Sequence, residues 1–196
     1  MYKKIFMSAI LAGLAISVGC IVFIKVGSIA GAVLFAFGLL TVVNYGLFLY
    51  TGKAGFIPTD FKVLVTTLLG NIVGCCLVSI LAYYSMPDVI DGCYKIYEKR
   101  ITLGLPQSVI LSGFCGFIMT TAVRFAKEGK YLPLLFGVPL FILSGFLHSI
   151  ADCMYLSASV FANTDILTNF DLYTYYISIV FGNYLGCNVH RVFLWN

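Results

Sequence analysis

His148 stands in the run Leu143-Ser144-Gly145-Phe146-Leu147-His148-Ser149-Ile150-Ala151-Asp152, inside a hydrophobic stretch long enough to cross a bilayer. An ionisable side chain at membrane depth is costly, and such residues face a bundle interior or a water-filled path. An imidazole gains or loses a proton near neutrality, so it can hydrogen-bond a passing solute and exchange a proton with it. Asp152 lies four residues on. If a helix begins near Ile150, its carboxylate either faces the imidazole and favours the protonated ring, or caps the helix. Enzymatic acid–base work needs a second group positioned on the substrate. Only His148 lies deep inside a hydrophobic stretch, His190 falling near the end of the last, no carboxylate besides Asp152 lies in one, and the chain has no Ser/His/Asp order, phosphate loop or zinc-spaced ligand set. The expectation is a solute pathway, not an enzyme, with no cofactor and no metal.

Two asparagines form the other polar signal. Gly70-Asn71-Ile72-Val73-Gly74-Cys75 and Gly182-Asn183-Tyr184-Leu185-Gly186-Cys187 share the pattern Gly-Asn-x-x-Gly. Glycines at this spacing let helices approach closely in lipid, and asparagine bonds across helices. Asn71 and Asn183 are therefore candidates to satisfy backbone groups freed where a helix breaks. A plain packing seam is the simpler reading of the glycines.

The elements that must hold these residues are membrane helices. The 196 residues are 61% hydrophobic and 10% charged, with a mean hydropathy of +1.00. A soluble domain carries about 25% charged residues. A span needs roughly 20 apolar residues, and six runs qualify: Ile5–Phe23, Ile29–Tyr50, Phe61–Tyr84, Leu103–Phe125, Leu132–Val160 and Leu172–Phe193. The fifth is too long for one straight helix and holds Pro133, Pro139 and Ser144-Gly145; the second reaches Thr51-Gly52 near its end. Both read as interrupted helices, which a membrane tolerates only where protein buries the break or a cavity runs past it. Lys3 and Lys4 before the first run resemble a signal peptide, but no cleavage site with a polar sequence follows. Eight Lys/Arg (Lys3, Lys4, Lys53, Lys62, Arg124, Lys127, Lys130, Arg191) against four (Lys25, Lys95, Lys99, Arg100) place both termini in the cytoplasm. The net charge of +4 reflects this orientation and implies no nucleic-acid partner. Six of the seven cysteines fall in the runs, and Cys93 falls in a loop, so a disulfide framework is not expected. Tyr173, Tyr175 and Tyr176 read as an interfacial aromatic belt.

The halves resemble each other. Ser8-Ala9-Ile10-Leu11-Ala12-Gly13 matches Ser108-Val109-Ile110-Leu111-Ser112-Gly113, the two Gly-Asn-x-x-Gly motifs match, and the interrupted runs correspond. Three spans per half is an odd number, so the halves, about 1–85 and 101–196, form an inverted repeat within one transmembrane domain. Such folds place the solute path where the repeats meet.

At this point the chain resembles the formate/nitrite transporter family over nearly its whole length. Ser144 to Asp152 is similar to the family's Ser-Gly-Phe-Glu-His-Ser-Ile-Ala-Asn, and Gly46-Leu47-Phe48-Leu49-Tyr50-Thr51-Gly52-Lys53 to Gly-Ala-Glu-Leu-Phe-Thr-Gly-Asn. The resemblance implies an aquaporin-like six-helix protomer, all α-helical, in a homopentamer of the inner or plasma membrane. It implies one pore per protomer for small monovalent anions such as formate, nitrite or hydrosulfide. It makes His148 the central pore histidine, opposite Thr51. Phe35, Leu39, Leu49, Tyr50 and Phe141 align with two apolar constrictions, and Arg100 or Lys99 with the outer vestibule's basic residue. The departures are paired. Phe48 and Leu147 replace the family's two glutamates, Asp152 replaces an asparagine and Gly116 another. Asn71, Asn183 or water must then brace the breaks.

A mechanism follows from these residues. An anion at the bilayer centre pays a large desolvation cost that protonation removes. Arg100, Lys99 and Lys53 gather anions at the mouths, the apolar rings strip water, and His148 and Thr51 hold the solute between them. A channel for small neutral solutes is the closest alternative.

Overall fold

The computed structural model describes residues 1–55 and 60–194, which are helical with no strand among them. The chain runs α1 (Tyr2–Val26), α2 (Ser28–Asn44), α3 (Tyr50–Ala54), α4 (Phe61–Ser85), α5 (Pro87–Ile101), α6 (Leu105–Lys127), α7 (Leu132–Leu143), α8 (Ser149–Ala162), a 3₁₀ turn (Thr164–Thr168) and α9 (Phe170–Leu194). Among the described residues α1, α4 and α6 are long and apolar enough to cross a membrane, while α2, α7 and α8 are shorter apolar helices. At 25 residues α1 and α4 are about 37 Å long.

Helix ends follow local chemistry. The Asp60 carboxylate accepts the Lys62 N–H at 2.9 Å and caps α4. Pro87, Pro106 and Pro133 sit in the first turns of α5, α6 and α7, where a missing N–H costs nothing. The two interruptions use one device. Gly46 (φ 64°) ends α2 and Gly145 (φ 71°) ends α7. Leu47 N–H donates to Val42 at 2.9 Å and Gly46 N–H to Val43 at 3.1 Å; Phe146 and Gly145 do the same to Phe141 and Ile142 at 2.9 and 3.1 Å. These are paired Schellman closures, which need a left-handed residue and so select glycine. The second interruption therefore lies at Tyr45-Gly46, not at Thr51-Gly52, which is inside α3.

α1 packs on α4 and α2, and α6 on α9 and α7. The short helices cross over: α8 lies against α4, while α3 touches α6 and α9. The expected loop between the halves contains α5, whose Val89, Ile90, Cys93 and Tyr97 are buried. Cys93 is thus a core residue rather than a loop thiol. Large apolar side chains such as Phe37, Leu81, Phe136 and Ile177 stand outward, while Asn71, His148, Asp152 and Asn183 are buried. That inversion suits a lipid-facing exterior.

Candidate functional site

Each asparagine braces one break with three bonds. Asn71 donates to the carbonyls of Ala9 (2.8 Å) and Phe48 (2.9 Å) and accepts the Tyr50 N–H (2.9 Å). Asn183 donates to the carbonyls of Ser112 (2.8 Å) and Leu147 (2.8 Å) and accepts the Ser149 N–H (2.8 Å). A side-chain amide offers two donors and one acceptor oxygen, which here meet the orphaned carbonyl and N–H of the break and a carbonyl of the neighbouring helix, α1 or α6. Phe48 and Leu147 thus meet the asparagines through their backbones, and the Ser8 hydroxyl takes the Phe48 N–H at 3.2 Å. The same contacts correct the sequence match between α1 and α6. Ala9 pairs with Ser112, and Gly13 with Gly116, because a Cβ on either glycine would lie 2.3 Å from the carbonyl oxygen of Asn71 or Asn183. The register is slid three residues from the pairing of Ser8 with Ser108.

Between the braces, α3 and α8 bring Thr51 and His148 together. Thr51 Oγ1 is 3.0 Å from His148 Nε2, and both residues are buried. His148 Nδ1 accepts the Ala151 N–H at 3.2 Å, so the imidazole is the N-cap of α8. A nitrogen that accepts carries no proton. The neutral ring is therefore the Nε2–H tautomer, and it donates to Thr51. The Thr51 hydroxyl proton is left to point elsewhere.

Asp152 does not meet the ring. Its Oδ2 accepts the His148 backbone N–H at 3.1 Å, and its Oδ1 accepts the Tyr175 hydroxyl at 2.8 Å. Arg100 completes the set, with Nε 3.5 Å from Asp152 Oδ1 and Nη1 donating to the Gly145 carbonyl at 3.1 Å. The carboxylate is 2% exposed and the guanidinium side chain 20%. Arg100 thus clamps both sides of the α7–α8 break. Tyr175 is buried in this network rather than standing in an aromatic belt; Tyr173 is exposed and Tyr176 half-buried.

Apolar groups surround the pair. Phe141 stacks on His148 at 5.6 Å between ring centroids, and Phe35 meets Phe141 edge-on at 6.0 Å. Leu39, Leu49 and Tyr50 belong to the same buried cluster. The Tyr50 hydroxyl donates to the Val180 carbonyl at 3.2 Å. A cavity of about 410 Å³ beside the end of α5 and the α7–α8 break is lined by Lys99, Arg100, Phe141, His148 and Asp152. A second, of about 450 Å³, lies toward the start of α4, runs from buried Tyr50, Ala54 and Leu64 and opens past the outward-facing Phe61, Ile177 and Phe181. Lys53 lines neither; its ammonium sits 4.0 Å from the Phe48 ring centroid, a cation–π contact. No group of three metal-ligating side chains occurs among the described residues.

Sequence reasoning missed Tyr175, Ser8 and the partner of Asp152. A carboxylate in an apolar run requires a cation or several donors, and that demand was readable; which residues supply them depends on how α5 folds back.

A family model described as formate/nitrite transporter matches residues 1–195. Comparison with curated proteins returns no significant match. Among solved structures, an "FNT family ion channel" superposes with a TM-score of 0.81 at 21% identity, covering 95% of this chain and 86% of that one. A "Pentameric formate channel with formate bound" gives 0.79 at 19% identity, covering 95% and 92%. At these identities the likeness establishes the fold.

Proposed function

The chain belongs to the formate/nitrite transporter family, and from that premise we propose that it is a multi-pass membrane channel for small monovalent anions or their conjugate acids. Formate, nitrite and hydrosulfide are the candidate class. One observation carries the reading: a buried Thr51–His148 pair is joined at 3.0 Å, with His148 lining the first cavity and Tyr50, next to Thr51, lining the second.

The solute enters the cavity beside Lys99 and Arg100 and passes Phe141 and Phe35, which strip its hydration. At the centre an entering oxyanion replaces Thr51 Oγ1 as the acceptor of the imidazole Nε2–H, and the Thr51 hydroxyl supplies a second donor. The oxyanion's partial desolvation is offset by these donors and by the positive end of α8. Tyr50 and Leu49 form the second constriction. A proton placed on the ring must go to Nδ1, which already accepts the Ala151 N–H. Ring protonation therefore costs the α8 cap, and His148 works as a neutral donor, with the solute carrying the proton.

The same reading includes six spans as an inverted three-plus-three repeat in one domain, residues 1–196, of which 56–59 and 195–196 lie outside the described residues. The matched Schellman closures, the matched asparagine braces and the 25-residue length of α9 support it. It further includes a homopentamer, like the pentameric formate channel among its structural neighbours, set in the inner or plasma membrane with both termini cytoplasmic.

A channel for small neutral solutes is the second reading, favoured by the cancellation of the Arg100 charge by Asp152. Proteoliposomes separate the two. Formate-driven internal acidification without glycerol-driven swelling supports the anion or weak-acid reading; swelling without acidification sinks it.

A further inference from the structure

The outer cavity carries three charged side chains, Lys99, Arg100 and Asp152. Asp152 is the unexpected one, since the sequence family it resembles has an asparagine there. Its carboxylate is 2% exposed, and its oxygens are taken by the His148 N–H, the Tyr175 hydroxyl and the Arg100 guanidinium. It sits in the first turn of α8, where a negative charge also opposes the helix's positive end. Arg100, still 20% exposed, faces the cavity with its charge already matched. Lys99 is at the exposed rim.

We infer that Asp152 is a specificity-determining residue, which lowers the attraction of the outer cavity for anions by pairing with Arg100. The channel then favours solutes that shed their charge, small weak acids, over those held only as ions. This rests on the outer cavity being the solute's mouth. It also explains Asp152 without any contact to the imidazole. The carboxylate trades anion capture for a fixed α7–α8 break, since Arg100 reaches Gly145 only while its charge is held inward.

The test is initial-rate formate uptake into proteoliposomes at fixed pH, at low and high potassium gluconate, for four proteins: wild type, Asp152→Asn, Arg100→Gln and the double variant. Asp152→Asn keeps the shape and a carbonyl oxygen for the His148 N–H. It should lower the KM for formate on the order of ten-fold at low salt, with the gain collapsing at high salt as the freed charge is screened. Arg100→Gln strands a buried carboxylate and should raise KM or cost folding; the double variant should restore both expression and a KM near wild type. A merely structural Asp152 would lower the maximal rate with KM and salt dependence unmoved, and that result overturns the inference. So does a double variant as impaired as Arg100→Gln. If the wild-type protein carries no formate at all, the proposed function fails first.

Discussion

Replacing Asn183 with Leu removes the three bonds through which that asparagine braces the α7–α8 break. The side chain keeps a similar volume, so the loss is polar. It orphans the Ser149 N–H and the Leu147 carbonyl and takes one of two bonds from the Ser112 carbonyl inside α6, at a residue with no exposed surface. Bonds between membrane helices average about 0.6 kcal/mol, so three give about 2 kcal/mol. If the partners stay dry and unpaired, each orphan costs about 1–3 kcal/mol. Relaxation of the break toward Leu111, whose carbonyl already lies 3.5 Å from the Leu147 N–H, limits that penalty. The expected loss is about 2–5 kcal/mol. Asn71→Leu should cost the same within about 1 kcal/mol, because Asn71 makes the same three kinds of bond at the α2–α3 break. Reversible unfolding in mixed micelles, followed by helical circular dichroism, measures both. Formate flux should fall with stability, since the braces fix Thr51 and His148 against each other. A loss below about 1 kcal/mol for either variant would show that something other than the asparagines carries the breaks.

Gly116→Ala should prevent folding or assembly, because its Cβ would lie 2.3 Å from the Asn183 carbonyl oxygen and α6 and α9 cannot both stay in place; yield of folded protein in size-exclusion chromatography checks it. Tyr50→Phe loses the tether to Val180, so the ring at the proposed inner constriction is freed; formate flux into proteoliposomes should rise at least twofold, and unchanged flux would remove Tyr50 from the constriction. Outside the membrane, the Lys25 ammonium holds the Asp88 carboxyl below the usual carboxylate range. The contribution of that ion pair is therefore complete above the ordinary carboxylate pKa of about 4 and disappears as pH falls through the lowered value. The stability gap between wild type and Asp88→Asn, measured at pH 7 and again near pH 2, should close at the lower pH.

Much of this arrangement is legible in the residues. The hydrophobic runs mark the long helices, because lipid demands continuous apolar surface. Gly-Asn-x-x-Gly marks the braces, because an amide fits two carbonyls and one N–H. The break at Gly145 is visible in Ser144-Gly145; its counterpart lies at Asn44-Tyr45-Gly46, five residues before the Thr51-Gly52 pair, and the left-handed backbone there fixes which of the two is the break. Short local matching also pairs Ser8 with Ser108, while the carbonyl-to-glycine contacts select a register three residues away. Apolar helical sequences tolerate such slips, since neighbouring residues are chemically alike. The partners of Asp152 are the least legible, because they come from α5 and α9, far away in sequence and joined only by packing. Arg100 reads as a free basic residue until α5 is seen to lay it against that carboxylate.

The central claim is that the Thr51–His148 pair is the point through which a small weak acid must pass. The most direct measurement is internal pH in proteoliposomes after a formate jump, comparing wild type with His148→Phe purified in the same oligomeric state. Acidification should be rapid through wild type and no faster than the protein-free background through the variant; acidification at the wild-type rate in the variant would show that the solute does not pass this pair.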